Sequence, residues 1–217
     1  MKKNNYNFNR NKLKIIDDFL SKDDYQSLLN LDIENKINKK FNIYHNEIND
    51  NGIITSSIDK QLIQKLHKNY HMKALSILKE INKDKVELYD YSDFTIIVTE
   101  KNSKFPIHDD TPNKLLSGVI YIAPEKNNGT FYYNDKNGSN KTNTEWKPNR
   151  GAFFSRKERS TWHSYEGDGK NNRVVLVYNL MTYRIKEVYK IEKKNFFYGN
   201  LRWKMNPYLY EYFKFII

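Results

Sequence analysis

After Lys85 the hydrophobic pattern of this chain switches to a period of two, broken at short intervals by turn signals. Residues 93–99, 115–122, 129–133, 144–146, 151–154 and 173–180 each read as a strand. Between them stand Asn127-Asn128-Gly129, Asn137-Gly138, Pro148-Asn149 and Gly167-Asp168-Gly169, residue types whose side chains or missing Cβ favour turn backbones. Several short strands with regular turns restrict the chain to a β-sandwich or barrel. A helical period precedes them. Ile58, Leu62, Leu66, Tyr70, Ala74, Ile77 and Ile81 predict a helix over 57–81, with a break near His71. Residues 14–20 read as a short strand running into a turn. Ser21-Lys22-Asp23-Asp24 then resembles a capping box and predicts a short helix. Residues 30–56 mix short apolar pieces with Asn and Asp and predict no regular element.

At 217 residues the chain suits one domain with a substantial core. Residues 1–12, polar and rich in Asn and Lys, are expected to form a mobile arm. The domain is expected over 13–182, and 183–217 form a basic, aromatic extension packed on it. No cysteine is present, which excludes disulfides, zinc–thiolate sites and cysteine nucleophiles. The net charge of +11 points toward an acidic partner such as nucleic acid, an anionic lipid surface or a phosphorylated substrate. The excess is mostly Lys beside abundant Asn, Ile and Tyr, however, which is the pattern of an AT-rich coding sequence. No run is apolar for a membrane-spanning length. The basic start Met1-Lys2-Lys3-Asn4-Asn5 has no apolar segment behind it, so a cytoplasmic location is expected.

The chemistry concentrates in Phe105-Pro106-Ile107-His108-Asp109-Asp110 and in Thr161-Trp162-His163-Ser164, with Arg173 ten residues after His163. In an extended segment residues i and i+2 share a face, so His108 and Asp110 can address one ion while Asp109 points away. Two imidazoles and one carboxylate can fill one face of an Fe(II) octahedron and leave the other open. Phe105, Phe131, Tyr133 and Arg156 are candidates for the mouth of such a site, with Trp162 beside the metal. Arg156-Lys157-Glu158-Arg159 reads as a solvated loop. His67 and His71 are four apart on the expected helix, but Lys68-Asn69-Tyr70 between them lacks a metalloprotease glutamate. They read as exposed or capping residues.

Over residues 13–182 these motifs resemble the 2-oxoglutarate/Fe(II)-dependent dioxygenase superfamily, in its prolyl-hydroxylase-like branch. The resemblance rests on Ile15-Ile16-Asp17-Asp18-Phe19-Leu20, His108-x-Asp110, Leu116 to Ile122 with the single-glycine turn at Gly129, Gly151-Ala152-Phe153-Phe154, Trp162-His163 and Arg173. It implies a mainly β fold with flanking helices, a double-stranded β-helix of jelly-roll type with the N-terminal helices packed outside. It implies Fe(II) on His108, Asp110 and His163, and 2-oxoglutarate chelating the metal with its far carboxylate on Arg173. Tyr121 also reaches the cosubstrate in that reading, and dioxygen takes the remaining position. The implied activity is hydroxylation of an unactivated C–H in a peptidyl residue or small metabolite, with release of succinate and CO2. Asn179 to Arg184 superficially resembles the Arg-x-Asn-x-Thr-x-Arg signature of nucleic-acid demethylases in the superfamily. The register fails, because Val177, Met181 and Tyr183 stand at its first Arg, its Thr and its last Arg. Three alternatives stay open: a basic non-catalytic nucleic-acid-binding module on the same fold, an oxidative nucleic-acid demethylase, and a cupin-like metal protein that takes no 2-oxoglutarate.

Overall fold

The run Arg173–Met181 (β12) is apolar almost throughout and buried nearly end to end, so it must be covered on both faces. Its neighbours are Lys114–Ala123 (β7) and Tyr91–Thr99 (β5), both antiparallel to it. In a computed structural model describing residues 13–31 and 40–213, these three strands centre an eight-stranded sheet. Leu13–Ile16 (β1) and Gly151–Phe154 (β10) complete one side. Phe41–Tyr44 (β2), Asn46–Asn49 (β3) and Gly52–Ser56 (β4) complete the other. A second sheet runs in the order Lys104–His108 (β6), Trp162–Glu166 (β11), Phe131–Tyr133 (β8) and Thr142–Asn143 (β9). The architecture is thus mainly antiparallel β with flanking helices, the expected jelly-roll-like sandwich.

The pleat of β12 divides the molecule. Val174, Leu176, Tyr178 and Leu180 join the main hydrophobic core, while Arg173, Val175, Val177 and Asn179 line a cavity on the opposite face. The core side is covered by the helix Lys60–Asn82 (α2), which buries Ile63, Leu66, Tyr70, Ala74, Ile77 and Leu78. Each large apolar side chain so buried contributes about 1.5–3 kcal/mol of transfer free energy. This helix starts three residues later than the period predicts, because Asp59 caps it by accepting from Gln61 N at 2.8 Å. It runs unbroken through His71. His67 and His71 are half-buried: their rings stack at 4.7 Å and pack against Phe94 and Tyr89, which corrects the exposed reading.

The helix Lys22–Leu29 (α1) begins at Ser21, whose hydroxyl accepts from Asp24 N at 3.2 Å. The segment 41–56, for which the sequence predicts no element, holds β2, β3 and β4. The strand expected at 144–146 lies two residues earlier, at β9. Thr144 N still donates to Thr130 O at 3.0 Å, but the chain then leaves the sheet so that Trp146 Nε1 can reach Pro124 O at 2.8 Å. The extension holds Ile185–Glu192 (α3) and Phe196–Phe213 (α4). No helix among the described residues is long and apolar enough to cross a membrane. The arm expected at residues 1–12 lies outside the described residues.

Candidate metal and cosubstrate site

β6 and β11 are paired so that His108 and His163 face each other across the ladder. Their ring centroids are 4.2 Å apart. Asp110 lies just beyond the end of β6, and its Oδ2 is 3.9 Å from His163 Nε2. One potential ligand atom from each of the three residues lies within 4.8 Å of the others. Both imidazoles are oriented in the same way. His108 Nδ1 is 3.0 Å from Pro106 O, and His163 Nδ1 is 2.9 Å from Thr161 O. A carbonyl only accepts, so each Nδ1 carries a proton and Nε2 is the ring atom left to face a ligand.

The electrostatics agree with that assignment. Burial pushes His108 down to about 3, so the ring is neutral. Burial alone would raise the Asp110 carboxyl. The Lys114 ammonium, which also hydrogen-bonds to it, outweighs burial and holds it well below the usual carboxylate range. Asp110 Oδ1 accepts from Lys114 Nζ at 2.7 Å and Oδ2 from Ser117 Oγ at 2.6 Å. A preoriented carboxylate beside two imidazoles whose Nδ1 atoms are engaged by carbonyls suits a borderline divalent metal such as Fe(II).

Asp109 does point away, and it has its own partner. Its two oxygens accept from Arg202 of α4 at 3.0 Å each, and Oδ2 also accepts from Arg159 N at 2.8 Å. Arg202 continues to Glu158 at 2.7 Å, and Glu158 pairs with Arg156. Arg156 reaches Glu192 of α3 at 3.0 Å, which takes Lys85 at 2.7 Å. Arg156 Nε also donates to the carbonyl of Asp110 at 3.1 Å. Arg156 and Glu158 are therefore neither at a mouth nor in a solvated loop. They are buried links in a chain of alternating charges that backs the segment carrying Asp110. Sequence reading missed this chain because its members lie up to 117 positions apart, from Lys85 to Arg202.

Arg173 is 6 % exposed and sits in an aromatic box. Its guanidinium lies 3.8 Å from the Tyr165 ring centroid and 5.7–5.8 Å from those of Trp146 and Tyr121. Burial pulls its pKa below the usual guanidinium value. Its Nε is buried with no hydrogen-bond partner, and among the described residues no carboxylate pairs with it. A buried cation without an anion is costly, so the box is built for an anionic group. Arg173, His108, Asp110 and His163 all line one cavity of about 290 Å³.

Tyr121 stands under this box without lining the cavity. Its ring stacks on Trp146 at 4.5 Å, and its hydroxyl donates to Thr130 Oγ1 at 3.1 Å and accepts from Thr130 N at 2.9 Å. It thereby fixes the start of β8, where Gly129 passes so close that an added Cβ would lie 1.5 Å from Thr144 O. Phe105 lines the cavity. The Tyr133 hydroxyl is 2.9 Å from Ser164 Oγ, the Phe131 ring lies under Lys141, and Trp162 is buried next to His163 in β11.

No protein-family model matches this sequence, and neither does any curated protein. Solved structures do match in fold. A 2OG-Fe(II) oxygenase family oxidoreductase from Burkholderia pseudomallei superposes with TM-score 0.58 at 13% identity, over 78% of this chain and 84% of its own. A Trichoplax adhaerens prolyl hydroxylase, solved with a hypoxia inducible factor peptide fragment, gives 0.56 at 15% identity, over 83% and 88%. A Pseudomonas putida prolyl-4-hydroxylase gives 0.53 at 12% identity, over 80% and 94%. The chain has the double-stranded β-helix fold of these oxygenases.

Proposed function

We propose that this protein is an Fe(II)- and 2-oxoglutarate-dependent dioxygenase. It hydroxylates an unactivated C–H of a peptidyl residue or small metabolite. The balance is R–H + O2 + 2-oxoglutarate → R–OH + succinate + CO2. The observation that supports it best is the pairing, in one cavity, of three ready ligand atoms with an unneutralised buried arginine. Fe(II) with 2-oxoglutarate and dioxygen supplies the oxidising power when bound.

The protein's own part is positional. His108 and His163 present Nε2 because Pro106 and Thr161 carbonyls hold their Nδ1 protons. Asp110 stays ionised under Lys114 and Ser117. Arg173 gives the cosubstrate's far carboxylate a partner that cannot lose its proton. Val175, Val177 and Ile97 keep the cavity wall apolar, which excludes water and strengthens these contacts.

The fold neighbours include a prolyl hydroxylase solved with a peptide, which supports a peptidyl substrate among the two classes. Anaerobic titration of the purified protein with Fe(II) and 2-oxoglutarate is expected to give a weak visible charge-transfer band. His163→Ala is expected to abolish it. A band of full strength in that variant would remove the ligand assignment and the function with it.

A further inference from the structure

The face of β12 that floors the cavity has a polar residue at each end and two valines between them. Arg173 occupies the cosubstrate end. Asn179, six residues and so about 20 Å along the strand, occupies the other. Asn179 is 1 % exposed and lines the cavity. Its Nδ2 donates to Asp93 Oδ2 at 2.8 Å, which fixes the orientation of the amide. Its Oδ1 is buried with no hydrogen-bond partner. An orphaned carbonyl oxygen costs free energy unless a donor arrives, so this end of the cavity is incomplete without a ligand N–H or O–H.

A second polar group lies at the same end. Asn179 pairs across the ladder with Ser117, whose hydroxyl shares the Asp110 carboxylate with Lys114. Lys114 also lines the cavity. An ammonium has three protons, and among the described residues one contact, to Asp110, is used. The substrate end therefore offers one free acceptor and one free cationic donor. The apolar rim formed by Phe41, Ile43 and Phe105 lies toward the other end, since Phe41 and Ile43 pair with Thr99 and Ile97, the β5 neighbours of Arg173 and Val175.

We infer that Asn179 and Lys114 form a subsite for an amino-acid unit: Asn179 Oδ1 accepts the unit's N–H, and Lys114 Nζ donates to its carbonyl or carboxylate oxygen. A free amino acid and a residue within a peptide share this chemistry. The inference rests on the oxygenase reading and narrows its substrate.

The test is succinate release by purified protein with Fe(II) and 2-oxoglutarate. Two probe sets are used, free L-amino acids and the same residues capped as N-acetyl amides, which separate the two sources. For any probe that raises turnover, an analogue without the N–H is compared: the N-methylated amide in the capped set, or the trimethylated betaine in the free set. Removing the N–H is expected to cost wild type about tenfold or more in kcat/KM, the scale of one stranded hydrogen bond. Asn179→Leu is expected to lose a similar factor on the parent probe and nothing further on the analogue, while its charge-transfer band with Fe(II) and 2-oxoglutarate persists. Equal losses by Asn179→Leu on probe and analogue mean a merely structural role and overturn the inference. So does a protein that forms the band yet couples to no amino-acid probe in either set. A wild-type protein that forms no band fails the oxygenase reading instead, so the two failures are distinguishable.

Discussion

A single arginine shows how a site is made at the expense of the fold. Arg173 is buried among Tyr165, Trp146 and Tyr121 with no counter-ion among the described residues. An apolar side chain of similar length would serve the empty fold better, since it removes the desolvation penalty of the unpaired charge. Arg173→Met is therefore expected to raise the melting temperature of the ligand-free protein, by about 2–4 °C for each kcal/mol gained. In wild type, 2-oxoglutarate at about 100 times its Kd with Mn(II) in place of iron is expected to add about 2.7 kcal/mol. The variant is expected to show no such gain. A variant that melts lower when empty and still gains from 2-oxoglutarate would mean that Arg173 is structural. At this scale the sequence was informative, because chemistry-bearing residue types are few. His108, Asp110, His163 and Arg173 converge as the spacing of strands and turns suggests. The roles of Lys114, Ser117 and Asn179 were not legible, since nothing in a lone Lys, Ser or Asn says which face of a strand meets a cavity.

Among the elements, the C-terminal helices gain their meaning from the ligand segment they support. α4 contributes Arg202, which takes both oxygens of Asp109, the residue between two candidate metal ligands. α3 contributes Glu192, which joins Lys85 to Arg156. Each charge in this buried chain is matched by its neighbour, so removing one partner strands another. Arg202→Met leaves Asp109 and Glu158 without their shared cation and is expected to cost about 3–5 kcal/mol in urea unfolding. Adding Asp109→Asn is expected to return part of that loss, because a neutral amide needs no counter-charge. Loss of less than about 0.5 kcal/mol in the single variant would place the pair among the many ion pairs that contribute little. The extension's basic and aromatic composition gave no element, and it holds the helices α3 and α4. Its ionic link to the ligand segment depends on long-range contact that no local pattern encodes. Most strands of the 93–180 region were legible as short apolar runs between turn signals, but β6 and β11, which carry the two histidines, were not. Those of 41–56 were not, because Asn-rich runs carry no clear apolar face.

For the molecule as a whole, pH is the variable that couples the helical layer to the charge balance. Asp24, fully buried at the start of α1, accepts from Ser21 Oγ at 2.9 Å, Asn69 Nδ2 at 2.9 Å and Tyr70 OH at 2.7 Å. Lys65 Nζ lies 2.8 Å from its other oxygen. Burial pushes its pKa up, but Lys65, Tyr70, Asn69 and Ser21 together bring it down to about 2. The unfolded chain should titrate near the ordinary aspartate value of about 3.9. Because the folded value is the lower one, the stabilisation is fully present above about 3.9, fades as pH falls toward about 2, and is gone below it. Asp24→Asn is therefore expected to be less stable than wild type by a constant amount at neutral pH, with the gap closing between about pH 4 and pH 2. The excess of 37 Lys and Arg over 26 Asp and Glu adds a second acid effect, since protonating carboxylates increases self-repulsion. Salt separates the two. About 0.5 M NaCl should relieve the repulsion, which acts through solvent, and should narrow the gap between wild type and Asp24→Asn only by the share that half-exposed Lys65 supplies, because Asp24 and its Tyr70 partner are buried. Urea unfolding of both proteins at pH 7, 3 and 2, with and without salt, measures this directly. A gap that closes with salt at pH 7, or that persists unchanged at pH 2, would show that Asp24 acts through surface charge and not as the buried tie between α1 and α2.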